Sequence, residues 1–206
     1  MERKGIRIVW YADDILIFAK TKKEAGNYRA FATKVLEEEM KLTVNEKKTS
    51  VTSVKNGVSY LGFVIYPKWV TVDPKRIKRF KDKVRQITQR STGRPIEEVI
   101  RKLNPLLRGW MNYYRAANIK GLAQELMGWI RRRLRMIRMR QWKTYKKMHK
   151  EMRRKGLPIQ EKMDVRRWKN SKVQIIHLLM PNQYFHDLGL IDLCSYDVGL
   201  LSSYRE

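Results

Sequence analysis

The sequence predicts an α+β fold: a β-hairpin, a helix and short strands over residues 1–72, then a mostly α-helical part over residues 73–172. A final apolar stretch, residues 173–206, is expected to fold back as a cap. Three observations predict this. β-branched and aromatic runs separated by turn residues crowd the first third. Asp73-Pro74, a cap residue followed by proline at the first helical position, opens a stretch with apolar residues at helical spacing. Ile176, Leu178, Leu179, Tyr184, Phe185, Leu188 and Leu190 make the tail apolar.

Taken in order, Ile6 to Tyr11 and Ile15 to Ala19 are apolar runs flanking Ala12-Asp13-Asp14, the pattern of a β-hairpin with an Asp pair at its bend. Thr21 with Glu24 three residues on is a capping box, and the helix it opens ends near Met40. Leu42 to Val44 and Thr49 to Val54 read as short extended pieces, and Val58 to Tyr66 as a β-rich run. A helix then runs from Pro74 to about Gln89. A second follows from Pro95 and stops before Asn104-Pro105, which reads as the cap of a third helix carrying Leu106, Trp110, Tyr113 and Tyr114. A long fourth helix covers Leu122 to Arg154, with Leu126, Ile130, Leu134, Ile137 and Met148 on one stripe. Gly156 and Pro158 end it.

The chain has 46 Lys and Arg against 20 Asp and Glu, a formal charge of +26. Residues 75–172 hold 32 basic and 7 acidic residues, whereas residues 1–74 hold 13 and 9. A surface this basic binds polyanions, because phosphate contacts release condensed counterions. No apolar run reaches the length of a bilayer span, so the partner is nucleic acid rather than a membrane. The single cysteine, Cys194, excludes an intrachain disulfide and a thiolate metal cluster, and it fits a cytoplasmic setting of bacterial type.

Tyr11-Ala12-Asp13-Asp14 is the sharpest chemical feature. Adjacent carboxylates at a tight bend repel each other unless a cation lies beside them, and Mg²⁺ favours such hard oxygen ligands. The competing reading is a solvated turn. The apolar runs on both sides favour the metal reading, since a solvated turn needs no buried hairpin behind it. Thirteen basic residues against one acidic lie between Trp129 and Lys155, including Arg131, Arg132, Arg133, Arg135, Arg138, Arg140 and Lys143. Ordinary exposed helices alternate sign, so this run reads as a phosphate-contacting face.

Tyr-Ala-Asp-Asp between apolar strands resembles the palm metal-binding motif of reverse transcriptases. Asn45-Glu46-Lys47-Lys48-Thr49 resembles the Asn-x-x-Lys-Thr element after the palm helix, and Tyr60-Leu61-Gly62-Phe63 resembles the primer-gripping turn. Leu103-Asn104-Pro105-Leu106-Leu107-Arg108-Gly109-Trp110-Met111-Asn112-Tyr113-Tyr114-Arg115 is similar to the thumb signature of group II intron maturases, and is the most specific of these matches. Asp187 to Leu193 is more loosely similar to the family's C-terminal Gly-Leu-x-x-Leu.

The resemblance implies a partial reverse-transcriptase palm over residues 1–72 and a helical thumb/maturase domain over 73–172. It implies an RNA-directed DNA polymerase with two Mg²⁺ ions, Asp13 and Asp14 as metal ligands and Lys48 near the triphosphate. Tyr11, Ala12, Gly62 and Phe63 would contact nucleotide and primer. Arg108, one tyrosine of the thumb helix (Tyr114) and the arginine run would hold the template–primer duplex and structured intron RNA. In the family, fingers and the first half of the palm precede the Tyr-Ala-Asp-Asp hairpin and supply a third carboxylate. Only Met1 to Gly5 precede it here. The expectation is therefore a chain inactive in isolation: either half of a split enzyme whose partner chain supplies those parts, or a non-catalytic maturase-type RNA-binding module.

Overall fold

The computed structural model describes residues 6–89, 91–142, 144–154, 156 and 174–200. The fold is α+β, and the chain divides into two compact units, Met1–Asp73 and Pro74–Glu206.

In the first unit, strands β1 (Ile8–Tyr11) and β2 (Asp14–Ile17) pair antiparallel with Tyr11 opposite Asp14. The expected hairpin is present, and its loop is only Ala12-Asp13. Ala12 has φ of +50°, a left-handed conformation that costs a non-glycine residue about 1 kcal/mol. The Trp10 indole N–H donates to the Ala12 carbonyl and so holds the turn. Helix α1 (Lys22–Lys34) begins at the expected cap: Thr21 Oγ1 accepts from the Glu24 amide at 3.1 Å. The Glu24 carboxylate reaches back to the Lys20 amide at 2.7 Å, one residue beyond the usual reciprocal donor. A π-helical turn, Val35–Glu39, continues α1 to Met40.

Leu42 to Val44 and Thr49 to Val54 form no strand, contrary to expectation. Leu42, Val51 and Val54 are exposed, so these runs bury no face that would hold them in a sheet. The Asn45 carbonyl instead accepts from the Lys48 and Thr49 amides, bending the chain between them. Strands β3 (Val58–Tyr60), β4 (Phe63–Ile65) and β5 (Val70–Val72) make an antiparallel meander. The run expected from Val58 to Tyr66 is thus itself a hairpin. Its Leu61-Gly62 loop has φ of +49° and +82°, the pair of positive values that a type I′ turn needs.

The second unit holds α2 (Pro74–Ile87), α3 (Ile96–Tyr114), α4 (Lys120–Trp142), α5 (Tyr145–Arg154), α6 (Gln174–Leu179) and α7 (Asn182–Asp187). Its core includes Phe80, Val84, Ile100, Leu103, Leu107, Leu126, Ile130, Leu134, Ile137 and Phe185, all buried. Two expectations are corrected. The helices expected on either side of Asn104-Pro105 are one helix, α3, with Pro105 inside it. Asn104 does not cap: its Nδ2 donates to the Gly189 carbonyl at 2.7 Å and its Oδ1 accepts from the Ile191 amide at 3.1 Å. Burial of Leu103, Leu107, Trp110 and Met111 carries the helix through the proline. The long fourth helix is two, α4 and α5, which part beside Thr144.

From the tail, Ile176, Leu179, Met180, Phe185, Leu190 and Leu193 are buried. Among the described residues no helix is long and apolar enough to cross a membrane.

Candidate catalytic hairpin and nucleic-acid interface

The β1–β2 turn presents Tyr11, Ala12, Asp13 and Asp14 together, all exposed. Among the described residues, neither carboxylate has an ion-pair or hydrogen-bond partner. Free hard oxygen donors side by side fit Mg²⁺. They supply part of a coordination sphere: no group of three His, Cys, Asp or Glu able to hold a metal occurs among the described residues. Lys48 is exposed on the loop after α1. Gly62 and Phe63 lie half-buried at the β3–β4 turn, which the Asp73 amide closes by donating to the Gly62 carbonyl at 2.9 Å.

Packing sorts the arginine run of α4 into groups. Arg132 and Arg140 are exposed, as is Arg108 on α3. Arg131 is turned inward, its guanidinium 2.8 Å from the Asp192 carboxylate and its side chain only 14% exposed. Arg135 is 6% exposed; it donates to the Met180 carbonyl and to Asn182 Oδ1, each at 3.0 Å, and its guanidinium lies over the Phe185 ring. Its place in the expected phosphate face is therefore corrected: the tail consumes its donors. Arg133 is half-buried, donating through Nε to Thr88 Oγ1 at 2.6 Å and through a terminal nitrogen to the Thr88 carbonyl at 2.9 Å. Burial, and the neighbouring Arg85 charge, lower its proton affinity. Arg138 is half-buried with its guanidinium 5.8 Å from the Trp142 ring centroid. Lys143 lies outside the described residues.

The thumb-helix tyrosine is also corrected. Tyr114 is 8% exposed, and Trp110 packs between it and Phe80 with tilted rings, at centroid distances of 5.0 and 4.7 Å. Tyr113 is the exposed one, at 52%. An angular offset of one residue on the helix turns its ring outward, and only the direction of the core decides between neighbours. Trp129, not among the expected contacts, lies half-buried among Lys81, Arg85 and Arg133. Placing α2 and α4 on helical wheels would have marked these residues as facing stripes.

Residues 1–65 match the model of the reverse transcriptase (RNA-dependent DNA polymerase) family. Residues 77–156 match that of the group II intron, maturase-specific domain. The two matches together support a fragment of a group II intron reverse transcriptase/maturase. No curated protein matches it. The reverse-transcriptase match spans the Asp13-Asp14 hairpin, α1 and the β3–β4 hairpin, and the maturase match runs from within α2 to Gly156. Together they give the chain an intron reverse-transcriptase/maturase role and imply binding of intron RNA.

Proposed function

We propose that this chain contributes the catalytic hairpin, primer grip, thumb and maturase region of a group II intron reverse transcriptase. Asp13 and Asp14 hold Mg²⁺. When bound, the metal favours deprotonation of a primer 3′-hydroxyl and stabilises the leaving pyrophosphate. Lys48 sits by the triphosphate, and Tyr11, Ala12, Gly62 and Phe63 touch nucleotide and primer. Residues 1–72 serve as the palm portion, acting with fingers and an upstream palm half that bring a third carboxylate, from a partner chain where the enzyme is split. Residues 73–172 hold the template–primer duplex and the folded intron, and assist splicing. Arg108, Arg132, Arg133, Arg140 and the exposed Tyr113 are the contacts on that unit.

The observation that carries this reading is the Ala12-Asp13 turn. A strained alanine there holds two adjacent carboxylates, without partners among the described residues, out of a paired hairpin. Backbone strain of this kind persists where the surroundings impose it, and it concentrates at functional sites. The test is primer extension on an RNA template with Mg²⁺, comparing the wild-type chain with Asp13→Ala. Extension that the variant loses supports a polymerase role. RNA binding without extension in either protein leaves a second reading, a maturase-type binding module. The charge distribution favours that alternative: residues 75–172 carry the basic excess, so RNA affinity does not depend on the hairpin.

A further inference from the structure

One mixed aromatic and cationic seam in the helical unit gathers Arg133 with residues that the reading above leaves without a role. Lys81 and Arg85 on α2, with Thr88 just past its end, follow i, i+4, i+7 spacing. Glu125, Trp129 and Arg133 on α4 follow i, i+4, i+8. Each trio therefore shares one helix face. The stripes meet in the same order along both helices. Lys81 Nζ lies 2.9 Å from Glu125, Arg85 lies 5.6 Å from the centroid of the Trp129 ring, and Arg133 donates to Thr88. Arg133 is also 5.4 Å and Lys81 6.0 Å from that ring. Three cations thus surround one half-buried indole.

The charges in this seam are unevenly matched. Glu125 answers Lys81, and Asp82 lies 2.5 Å from Arg85 in a pair about half exposed on both sides, a kind worth little in water. Arg133 has no carboxylate partner among the described residues. Two guanidiniums therefore sit against one ring with their mutual repulsion only partly screened. Packing alone accounts for cationic stems lying across an indole. It does not account for collecting a second guanidinium without a counter-charge. An anion between Arg85 and Arg133 relieves the repulsion, and guanidinium forks match phosphate oxygens in geometry.

We propose that this seam docks a phosphodiester of an RNA strand, with Arg85 and Arg133 taking the phosphate oxygens and Trp129 forming the floor. The proposal rests on the RNA-binding reading above and names a site within it. On binding, Arg85 exchanges its exposed pair with Asp82 for phosphate, while the Thr88 bonds keep Arg133 in place.

The test titrates a labelled RNA hairpin over a salt series with wild type, Arg85→Gln/Arg133→Gln, and Arg79→Gln/Lys83→Gln. The last removes equal charge from exposed positions on another face of α2. The seam variant is expected to lose affinity on the order of tenfold and to show a log–log salt slope shallower by about one, with a smaller change in the charge-matched control. Seam and control variants that change alike overturn the site and leave RNA binding standing. Wild type without salt-dependent RNA binding overturns both. Thermal melting checks folding. If the double variant unfolds, Arg85→Gln alone, at a side chain 51% exposed, carries the test, and an unchanged slope overturns the site.

Discussion

A single amide side chain ties together segments 85 residues apart: Asn104 donates to the Gly189 carbonyl and accepts from the Ile191 amide. Removing it leaves two backbone groups without these partners, so Asn104→Ala is expected to lower unfolding stability by about 1–3 kcal/mol in a urea titration. A change near zero would mean that water replaces both bonds at no cost. Asp192 gives a pH-dependent counterpart. Burial pushes its carboxyl up, but the Cys194 amide and the Arg131 guanidinium outweigh burial and hold it below its ordinary value. A depressed folded value means stabilisation that is fully present above the unfolded value of about 4 and is lost as pH falls through the folded one. The stability gap between wild type and Asp192→Asn should therefore be widest near neutral pH and shrink in acid. A gap independent of pH would contradict the pairing. At this scale the sequence was legible where the physics is local. The Thr21–Glu24 cap and the exposed Asp13-Asp14 turn depend on neighbours a few residues away. Arg135 and Tyr114 depart from expectation because contacts distant in sequence set the direction of the core: Met180 and Asn182 hold Arg135, and Phe80 packs on the Trp110 that lies against Tyr114.

Among the elements, α3 shows a local rule overridden by packing. Asn104-Pro105 has the form of a helix start, yet the helix runs through it because Leu103, Leu107 and Met111 are fully buried along its length. An interior proline forgoes an amide hydrogen bond and crowds the preceding turn. Pro105→Ala is accordingly expected to stabilise the fold by on the order of 1 kcal/mol, after allowance for the looser unfolded chain. A loss of stability would show that a bend at Pro105 is needed to seat the tail. The β3–β4 hairpin makes the complementary case. Its residues were recognised as β-rich, but the two-residue Leu61-Gly62 turn splits them into separate strands. Gly62→Ala, at φ of +82°, should cost about 1 kcal/mol. A neutral result would mean that the hairpin changes its turn. The extended pieces expected at Leu42 and Thr49 failed because β-propensity without a buried face does not make a strand.

Across the molecule, the basic excess and the paired carboxylates fall in different parts of the chain. The carboxylate hairpin belongs to the first unit, whereas the basic excess belongs to residues 75–172 in the second. This division was legible from charge counting alone, because net charge adds along the chain without regard to packing. Which cations face outward was not legible, since Arg131 and Arg135 are spent on the tail. On the proposed function, RNA affinity comes from the helical unit and the hairpin adds chemistry rather than binding. The most direct measurement is the affinity of wild type and Asp13→Ala for a structured RNA over a series of salt concentrations. A steep linear fall of log affinity with log salt is expected, the same in both proteins. A large loss of affinity in Asp13→Ala, or an affinity indifferent to salt, would contradict it.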